Sequence, residues 1–291
     1  MSTNSPPAVP PARPGSITGL LPLIGVGLAT ALVVAPALIH AVDVWSADAE
    51  FNYGFFIIPV AVILTWWQRD ALRRSIGSGS SKGLLIIVPA LAVYILAYRI
   101  GINAIGGLAI IPLLWGIVVY LCGWRAARVL AFPIGFLVFG FGLYRGLLNT
   151  AGFALQQITA HGASAFSRTL GLPIERDGLT LVGDQFRFVV AEPCSGMSSL
   201  LSLLALSAVW TYVARGTLPA RLAVLLSVVP IVIIANTTRV TLVLLVASWF
   251  GQDAAEGFFH GASSLLLFGV ALGGLLLVSR SVGCKTISTA A

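Results

Sequence analysis

Charged residues are scarce in this sequence, and their scarcity excludes a soluble globular domain. Only 9% of the 291 residues are charged, whereas 58% are hydrophobic. A soluble domain normally carries roughly a quarter charged residues, because its surface must face water. Apolar runs close to the length of a membrane span recur along the chain, and such runs are typical of helices whose solvent is lipid. The sequence therefore predicts an all-α integral membrane protein.

Cysteine is also rare, and the pattern of the three cysteines excludes a disulfide framework and a structural zinc site. They are odd in number, far apart and form no CxxC pair; they are Cys122, Cys194 and Cys284. No HExxH, Walker or dinucleotide-binding motif occurs, so we expect neither a metal nor a cofactor. The net charge of +7 comes from short basic clusters beside apolar segments, which indicates membrane topology rather than nucleic-acid binding.

Eight apolar segments are predicted to cross the membrane. A Pro- and Ser-rich stretch at 1–16 precedes them and is typical of a disordered cytoplasmic tail. Residues 17–280 are predicted to form one transmembrane domain, and 281–291 are predicted to form a second cytoplasmic tail. The expected spans are 17–42, 54–68, 83–98, 101–122, 126–144, 194–214, 219–241 and 257–279.

The distribution of charge predicts the orientation of these spans. If the amino terminus is cytoplasmic and every segment crosses, 11 of the 17 basic residues lie inside and nine of the ten acidic residues lie outside. The positive-inside rule counts only Lys and Arg. The acidic residues support the same orientation, because most of them lie on the opposite, outer side. We therefore expect a multi-pass protein of the cell (inner or cytoplasmic) membrane with both termini in the cytoplasm.

The longest segment between predicted spans, about 145–193, is expected on the outer side. Large apolar residues lie among polar ones in its first part, which predicts an external helix in the plane of the interface. These apolar residues are Phe153, Leu155, Ile158 and Phe166. Between Gly178 and Val190 the pattern partly alternates around a Gly–Asp turn, which predicts a small β-hairpin before the sixth span.

Cys194 is the candidate nucleophile. Pro193 precedes it, and proline is favoured in the first turn of a helix, so the sixth span is predicted to begin here. Free amides and the helix dipole at such a terminus stabilise a thiolate and lower the pKa of the thiol. The structural alternative is that Cys194 has no chemical role and packs in the protein interior as a small apolar side chain.

Two further residues suit a reaction centre. Arg239 lies within an apolar segment, where inserting an arginine costs roughly 2.5–3.5 kcal/mol, so that it normally faces a polar cavity. Snorkelling to the membrane boundary is its structural alternative. Asn236 and two threonines beside it are typical of a helix that lines a cavity. His260 lies near the start of the eighth predicted span, and its two candidate roles are a structural one and proton transfer.

The predicted topology brings these three side chains to one membrane face. Cys194 starts the sixth span outside, Arg239 lies near the outer end of the seventh, and His260 starts the eighth outside. A thiol nucleophile, an acid–base group and a guanidinium for a developing oxyanion are the parts that acyl transfer needs. The residues expected to support the oxyanion or to line the cavity are Ser195, Gly196 and Asn236.

The order of these motifs resembles the exosortase/archaeosortase pattern. The motifs are AEPCSGMSSL, IANTTRV and a late FFHG, and the resemblance extends over roughly 43–275 to FNYGFFIIPVAVILTWWQRD, AFPIGFLVFG and LGLPIERDGLTL. Members of that family are multi-spanning cysteine enzymes that process carboxy-terminal sorting signals of the Pro-Glu-Pro (PEP-CTERM-like) type. The resemblance implies that Cys194, Arg239 and His260 are catalytic. Asn52–Tyr53–Gly54 departs from the family, since many members have Ser-His-Gly there.

The resemblance implies a membrane cysteine protease, a thiol protease or transpeptidase, whose catalytic domain is the transmembrane domain. It would cleave and sort envelope proteins that end in a short motif, an apolar helix and a basic tail. The expected partners are these membrane-anchored substrates and the lipid bilayer, with no nucleic acid. Three alternatives stay open: a serine intramembrane protease using Ser195 or Ser198, a transporter that binds an anion at Arg239 and His260, and a non-catalytic scaffold for envelope or polysaccharide assembly.

Overall fold

The computed structural model covers most of the chain and, in the covered part, is dominated by helices. It describes residues 17–48, 51–141, 145–184, 186–190 and 196–284, and only the backbone at 17–24, 145–149, 256 and 258–267. The predicted tail at 1–16 and residues 285–291 of the second predicted tail lie outside the described residues. The prediction of a mostly helical membrane protein is confirmed.

The amino-terminal half contains six helices in its described residues. They are α1 (Ile17–Ala47), α2 (Gly54–Trp67), α3 (Arg69–Ser75), α4 (Leu84–Arg99), α5 (Asn103–Val129) and α6 (Ala131–Phe136). Short 3₁₀ helices precede α4 at Ser81–Gly83 and follow α6 at Leu137–Phe139. α4 and α5 pack along their lengths, and α1 packs on α5 through a core that includes Val34 and Ile110.

The carboxy-terminal half contains five helices and a small sheet in its described residues. They are α7 (Arg145–Thr169), β1 (Glu175–Asp177), β2 (Thr180–Val182), β3 (Arg187–Val189), α8 (Met197–Val213), α9 (Leu218–Phe250), α10 (Gln252–Glu256) and α11 (Phe258–Ser281). α9 is the centre of this half, because α7, α8, α10 and α11 all pack against it.

The described helices support fewer spans than the eight predicted. Four are long and apolar enough to cross a membrane: Gly25–Ala47, Ser81–Arg99, Asn103–Val129 and Leu218–Phe250. A fifth results if α2 and α3, which meet at a bend of 62°, are one span. α8 is apolar but has only 17 residues. The protein is thus a multi-pass membrane protein, and a count of eight is not confirmed.

The predicted span at 126–144 differs most from the structure. Its described part, 126–141, contains the end of α5, the six residues of α6 and a 3₁₀ turn, and each of these is shorter than a span. α6 contains Pro133 within the sequence AFPIGF, and both proline and glycine oppose a continuous helix. Apolar composition alone suggested a span here, whereas the local backbone preferences favour short, bent pieces.

α9 continues nine residues beyond its predicted end at 241. Its 33 residues extend about 50 Å, which exceeds the roughly 30 Å hydrocarbon core of a bilayer. Arg239 lies about 31 Å along the helix from Leu218. The last third of α9 packs its Val243 and Leu244 against α7 and the sheet, and this packing explains why the helix continues.

α7 confirms a helix in the expected place, and most of the apolar residues on which an interfacial helix was predicted lie on the surface of the protein. Phe153, Ile158 and Phe166 are exposed, and Leu155 alone of the four large apolar residues is buried. The face against α9 is instead small and polar, and its buried residues are Gln156, Thr159, Ala160, Ala163, Ser164 and Ser167. Small residues let two helices approach closely, as is common between helices in membranes.

The sheet contains the predicted hairpin and one further strand. β2 and β3 pair antiparallel with Leu181 opposite Phe188, and β1 adds to the other edge of β2 with Arg176 opposite Leu181. Leu181 is fully buried against the last third of α9. β1 was not predicted because its three residues are polar and exposed, so it has no apolar alternation to detect.

Candidate active site

α8, α9 and α11 form an antiparallel three-helix group. Near one end, the Trp210 indole nitrogen on α8 donates to the Ser279 hydroxyl on α11 at 2.7 Å. Farther along, Gly274 on α11 lies beside Ile231 on α9. At the other end, Gly196 before α8 lies against Asn236 on α9. The start of α8 therefore lies against the middle of α9, and the start of α11 lies toward the same end of the group.

Gly196 forms a tight turn directly before α8. Its φ is +82°, in the left-handed region that favours glycine, and a Cβ there would lie 2.9 Å from Asn236 Cγ. α8 begins at Met197, directly after this turn, which is three residues later than the predicted helix start at Cys194. Cys194 and Ser195 lie outside the described residues and come directly before Gly196 in the chain.

Asn236 joins α9 to α7 as well as to the Gly196 turn. Its Nδ2 donates to Thr159 Oγ1 at 3.0 Å, and both side chains are buried. One turn along α7, a Cβ on Gly162 would lie 2.9 Å from a methyl group of Thr237, so the two backbones approach closely. α7 is therefore a wall of the candidate site and holds the Asn236 amide in a fixed position.

Arg239 lies one turn from Asn236 on the same face of α9, because residues three apart on a helix are neighbours. It is only 7% exposed, which differs from a snorkelling arginine that reaches water. It faces a small cavity of about 20 Å³, enough for about one water molecule. The other residues of this cavity are Ser199 of α8, Val232, Ala235 and Asn236 of α9, and Phe268 and Ala271 of α11.

His260 is the third residue of α11, and its backbone alone is described. The contact between Gly274 and Ile231 sets the level of α11 on the antiparallel α9. Counting from that contact at 1.5 Å per residue, the His260 backbone lies about 9 Å beyond the level of Arg239. It lies toward the end of the group where α8 begins.

The described groups of the site suit the binding of an oxyanion. The guanidinium of Arg239 and the amide of Asn236 both offer N–H donors, and Ser199 adds a hydroxyl. Such donors stabilise negative charge most strongly where few water molecules compete for them, and this cavity has room for about one. Among the residues whose side chains the structure describes, no group of three His, Cys, Asp or Glu lies close enough to hold a metal ion.

Thr159, Ser199 and Phe268 were missed by the sequence analysis. Thr159 could have been suspected, because small and polar residues recur every three or four positions along α7, which is the pattern of a helix-packing face. Ser199 lies three residues after Gly196, one turn into α8, among apolar neighbours. Nothing local distinguishes Phe268, whose place in the cavity depends on how α11 packs against α9.

The model of the transmembrane exosortase family matches residues 45–277, which is well over half of the chain. The search of curated proteins and the search of solved structures found no match to this chain. The matched region includes the Gly196 turn, Arg239 and His260, and it confirms the resemblance carried by the sequence motifs. The chain belongs to the transmembrane exosortase family.

Proposed function

We propose that this protein is a membrane cysteine peptidase or transpeptidase that cleaves and sorts envelope proteins at a carboxy-terminal signal. The observation that carries the proposal is the packing of Gly196 on Asn236, one helical turn from the buried Arg239. Gly196 follows Cys194 by two residues. Cys194 is therefore two residues along the chain from a turn that packs against Asn236. Asn236 and Arg239 are the two side chains that can stabilise an oxyanion.

In the proposed reaction, Cys194 Sγ attacks the carbonyl carbon of the scissile peptide bond as a thiolate. The carbonyl oxygen becomes an oxyanion, which Arg239 and Asn236 stabilise by hydrogen bonds. As the tetrahedral intermediate collapses, the C–N bond breaks and His260 gives a proton to the departing amine. The product is a thioester between the substrate and Cys194, with a free amine on the released carboxy-terminal segment.

The second half of the reaction regenerates the enzyme. His260 takes a proton from water or from an amine of the cell envelope as that nucleophile attacks the thioester carbonyl. The C–S bond then breaks, and Cys194 is free for another cycle. Water gives hydrolysis and an amine gives transpeptidation, so the same site serves both reactions.

We propose that the site lies on the outer face of the cytoplasmic membrane. In this topology the chain crosses the membrane eight times and both termini lie in the cytoplasm. The length of α9 supports this depth, since about 31 Å of helix separate Arg239 from Leu218 and a bilayer core is roughly 30 Å thick. A substrate helix of spanning length, held by a basic tail at the cytoplasmic side, brings the residues before that helix to the same level.

Chemical modification of Cys194 tests both the nucleophile and the face. In a chain with Cys122→Ser and Cys284→Ala, Cys194 is the sole cysteine. We expect a charged, membrane-impermeant methanethiosulfonate reagent, added to intact cells, to stop cleavage of a co-expressed tagged protein that ends in a motif, an apolar helix and a basic tail. Reducing agent should restore cleavage, because it removes the mixed disulfide.

Two results of this experiment contradict the proposal in different ways. Cleavage that continues after complete modification of Cys194 would exclude the cysteine mechanism. Modification that requires permeabilised cells would instead set Cys194 on the cytoplasmic side and exclude the outer-face topology. The same chain without reagent is the control, and we expect it to cleave at the rate of the natural sequence.

A further inference from the structure

A second, larger cavity lies outside the α8–α9–α11 group. Its volume is about 350 Å³, within the range of small-molecule and peptide side-chain pockets. It is enclosed by the ends of α1 and α4, the beginning of α5 and the turn after α6. The residues that define its chemistry are His40, Trp45, Phe51, Tyr98, Asn103 and Ala104.

The aromatic wall of this cavity is fixed in position. The Trp45 indole nitrogen donates to the Gly140 carbonyl oxygen at 3.0 Å, and Trp45 is buried. Gly54, at the start of α2, packs so closely on the Trp45 indole that no Cβ fits there. With its amide nitrogen turned toward α1, Asn52 donates to the carbonyl oxygens of Trp45 and Asp48. The Asn52–Tyr53–Gly54 segment thereby holds the cavity wall.

The cavity shares an apolar core with the first residue of α8. Met197, the first residue of α8, is buried in one core with Trp45, Phe51 and Phe141, and all three of these line the cavity. Met197 follows Cys194 by three residues. The start of α8 is thus linked on the one hand to the core beside the cavity through Met197, and on the other to Asn236 of α9 through Gly196.

The lining favours an uncharged ligand that carries hydrogen-bonding groups. No Lys, Arg, Asp or Glu lines the cavity among the described residues, so none of them offers a counter-charge to an anionic headgroup or a cation. Asn103 and His40 each offer a donor and an acceptor. α5 begins after Ile102, whose side chain has no capping oxygen, so the first two amides of α5, those of Asn103 and Ala104, have no helical acceptor beside this cavity.

A polypeptide in extended form has these properties. Its peptide groups are neutral, and at the edge of the hydrocarbon each N–H and C=O needs a partner, because an unsatisfied group there costs several kcal/mol. Asn103 and the first amides of α5 supply such partners, and the aromatic wall supplies apolar contact for side chains. A phospholipid is the poorer match, because the part of the lining that the structure describes has no Lys or Arg to pair with its phosphate.

We propose that this cavity binds an uncharged, extended segment of the substrate polypeptide next to its sorting motif. This inference rests on the proposed peptidase function. It assigns substrate recognition to α1, α4 and α5, and it leaves the chemistry to α8, α9 and α11. It also gives the Asn52–Tyr53–Gly54 segment a role in recognition, through the wall that it holds, without any contact with the reacting atoms.

Disulfide trapping tests where the substrate lies. The enzyme carries Ala104→Cys together with Cys122→Ser, Cys194→Ala and Cys284→Ala, so that turnover does not remove the substrate. The tagged substrate carries single cysteines at successive positions before its apolar helix. We expect oxidation to link Ala104→Cys to a short run of these positions. The matched control is Ile105→Cys, which is the adjacent residue, 45% exposed and outside the cavity lining.

Filling the cavity gives a second readout with the natural cysteines in place. We expect Ala104→Phe to raise the KM for the tagged substrate by about 10-fold or more, as expected for a changed apolar subsite. Because the reacting groups are untouched, kcat and the rate at which iodoacetamide alkylates Cys194 should stay unchanged. Ile105→Phe, on the exposed side of α5, should change neither constant.

The outcomes separate this inference from the proposed function. Cleavage that persists in Cys194→Ala would overturn the peptidase itself. Cleavage that depends on Cys194 but has the same KM in Ala104→Phe and Ile105→Phe would overturn the subsite alone. Equal disulfide yields from the two positions would also overturn it. So would protection of Ala104→Cys from maleimide in membranes that lack the substrate, since a lipid would then occupy the cavity.

Discussion

We expect the Cys194→Ala variant to cleave a co-expressed tagged substrate on the order of 10⁶-fold more slowly than the natural chain, which is below detection in cells. Removing Sγ removes the atom that forms the thioester, whereas substrate binding and the oxyanion donors remain. The enzyme should still be inserted in the membrane in normal amounts, because alanine is apolar and tolerated in a turn or a helix. The measurement is an immunoblot of the substrate, normalised to the amount of enzyme.

The other two cysteines are the matched controls for this variant. Cys122 is half-buried on α5, and Cys284 is buried after α11 with its sulfur close to Gly216. Neither lies among the residues of the candidate site, so Cys122→Ala and Cys284→Ala should cleave at close to the natural rate. Unchanged cleavage in Cys194→Ala would exclude a cysteine enzyme. The alternatives would then be a serine enzyme using Ser195 or Ser198, or a transporter or scaffold acting beside another protease.

Arg239→Lys should lower cleavage by about 10²–10³-fold, the loss seen when an oxyanion donor is removed from other enzymes. Arginine presents a planar fork that donates two hydrogen bonds, whereas lysine is a compact point charge. The charge and much of the apolar stem are retained, so the cost of burying the residue beside the cavity of α8, α9 and α11 is similar. Membrane level and the thermal unfolding midpoint in detergent should therefore change little.

A second arginine on the same helix gives the control for this substitution. Arg221, near the start of α9, donates through Nη2 to the Ala214 carbonyl oxygen at 3.1 Å and lies far from the candidate site. Arg221→Lys should cleave almost normally. If Arg239→Lys does so as well, Arg239 serves only to anchor α9. The oxyanion would then need other donors, such as the amides of Ser195 and Gly196.

The sequence predicted the elements whose signal is local. Long apolar runs predicted α1, α4, α5 and α9 close to their observed starts, because a helix that crosses a bilayer needs a continuous apolar stretch that is visible in the sequence. The end of α9 was predicted nine residues early. Its last third contains Val243 and Leu244, which pack on the sheet and α7, and nothing in the residues themselves reveals those partners.

Parts of the candidate site were open to prediction for the same reason. Arg239 and Asn236 stand out because a polar group in an apolar segment needs a partner. Thr159 belongs to a recognisable helix-packing face of α7, but its hydrogen bond to Asn236 could not be predicted, because it joins residues 77 positions apart. The Gly196 turn was read as part of a helix, since its left-handed φ and its contact with Asn236 depend on the packing of α8 against α9.

The larger cavity illustrates what neither composition nor motifs reveal. Its members come from α1, the segment before α2, α4, α5 and the turn after α6, and nothing in the sequence of any one segment indicates that they line a common cavity. Ala104 and Gly107 leave space there because they are small, and Trp45 closes one side because Gly54 lets it pack. Such a cavity follows from tertiary packing, so a sequence can suggest its residues only after the fold is known.

Mass spectrometry of the acyl-enzyme tests the central proposal most directly. Membranes that contain the natural enzyme and its tagged substrate are quenched in acid during turnover, and the peptide that contains Cys194 is analysed. We predict that this peptide carries the amino-terminal part of the substrate through a thioester. The adduct should be released by neutral hydroxylamine and be absent from Cys194→Ala. A substrate adduct on Ser195 or Ser198, or on any residue other than Cys194, would contradict the proposal.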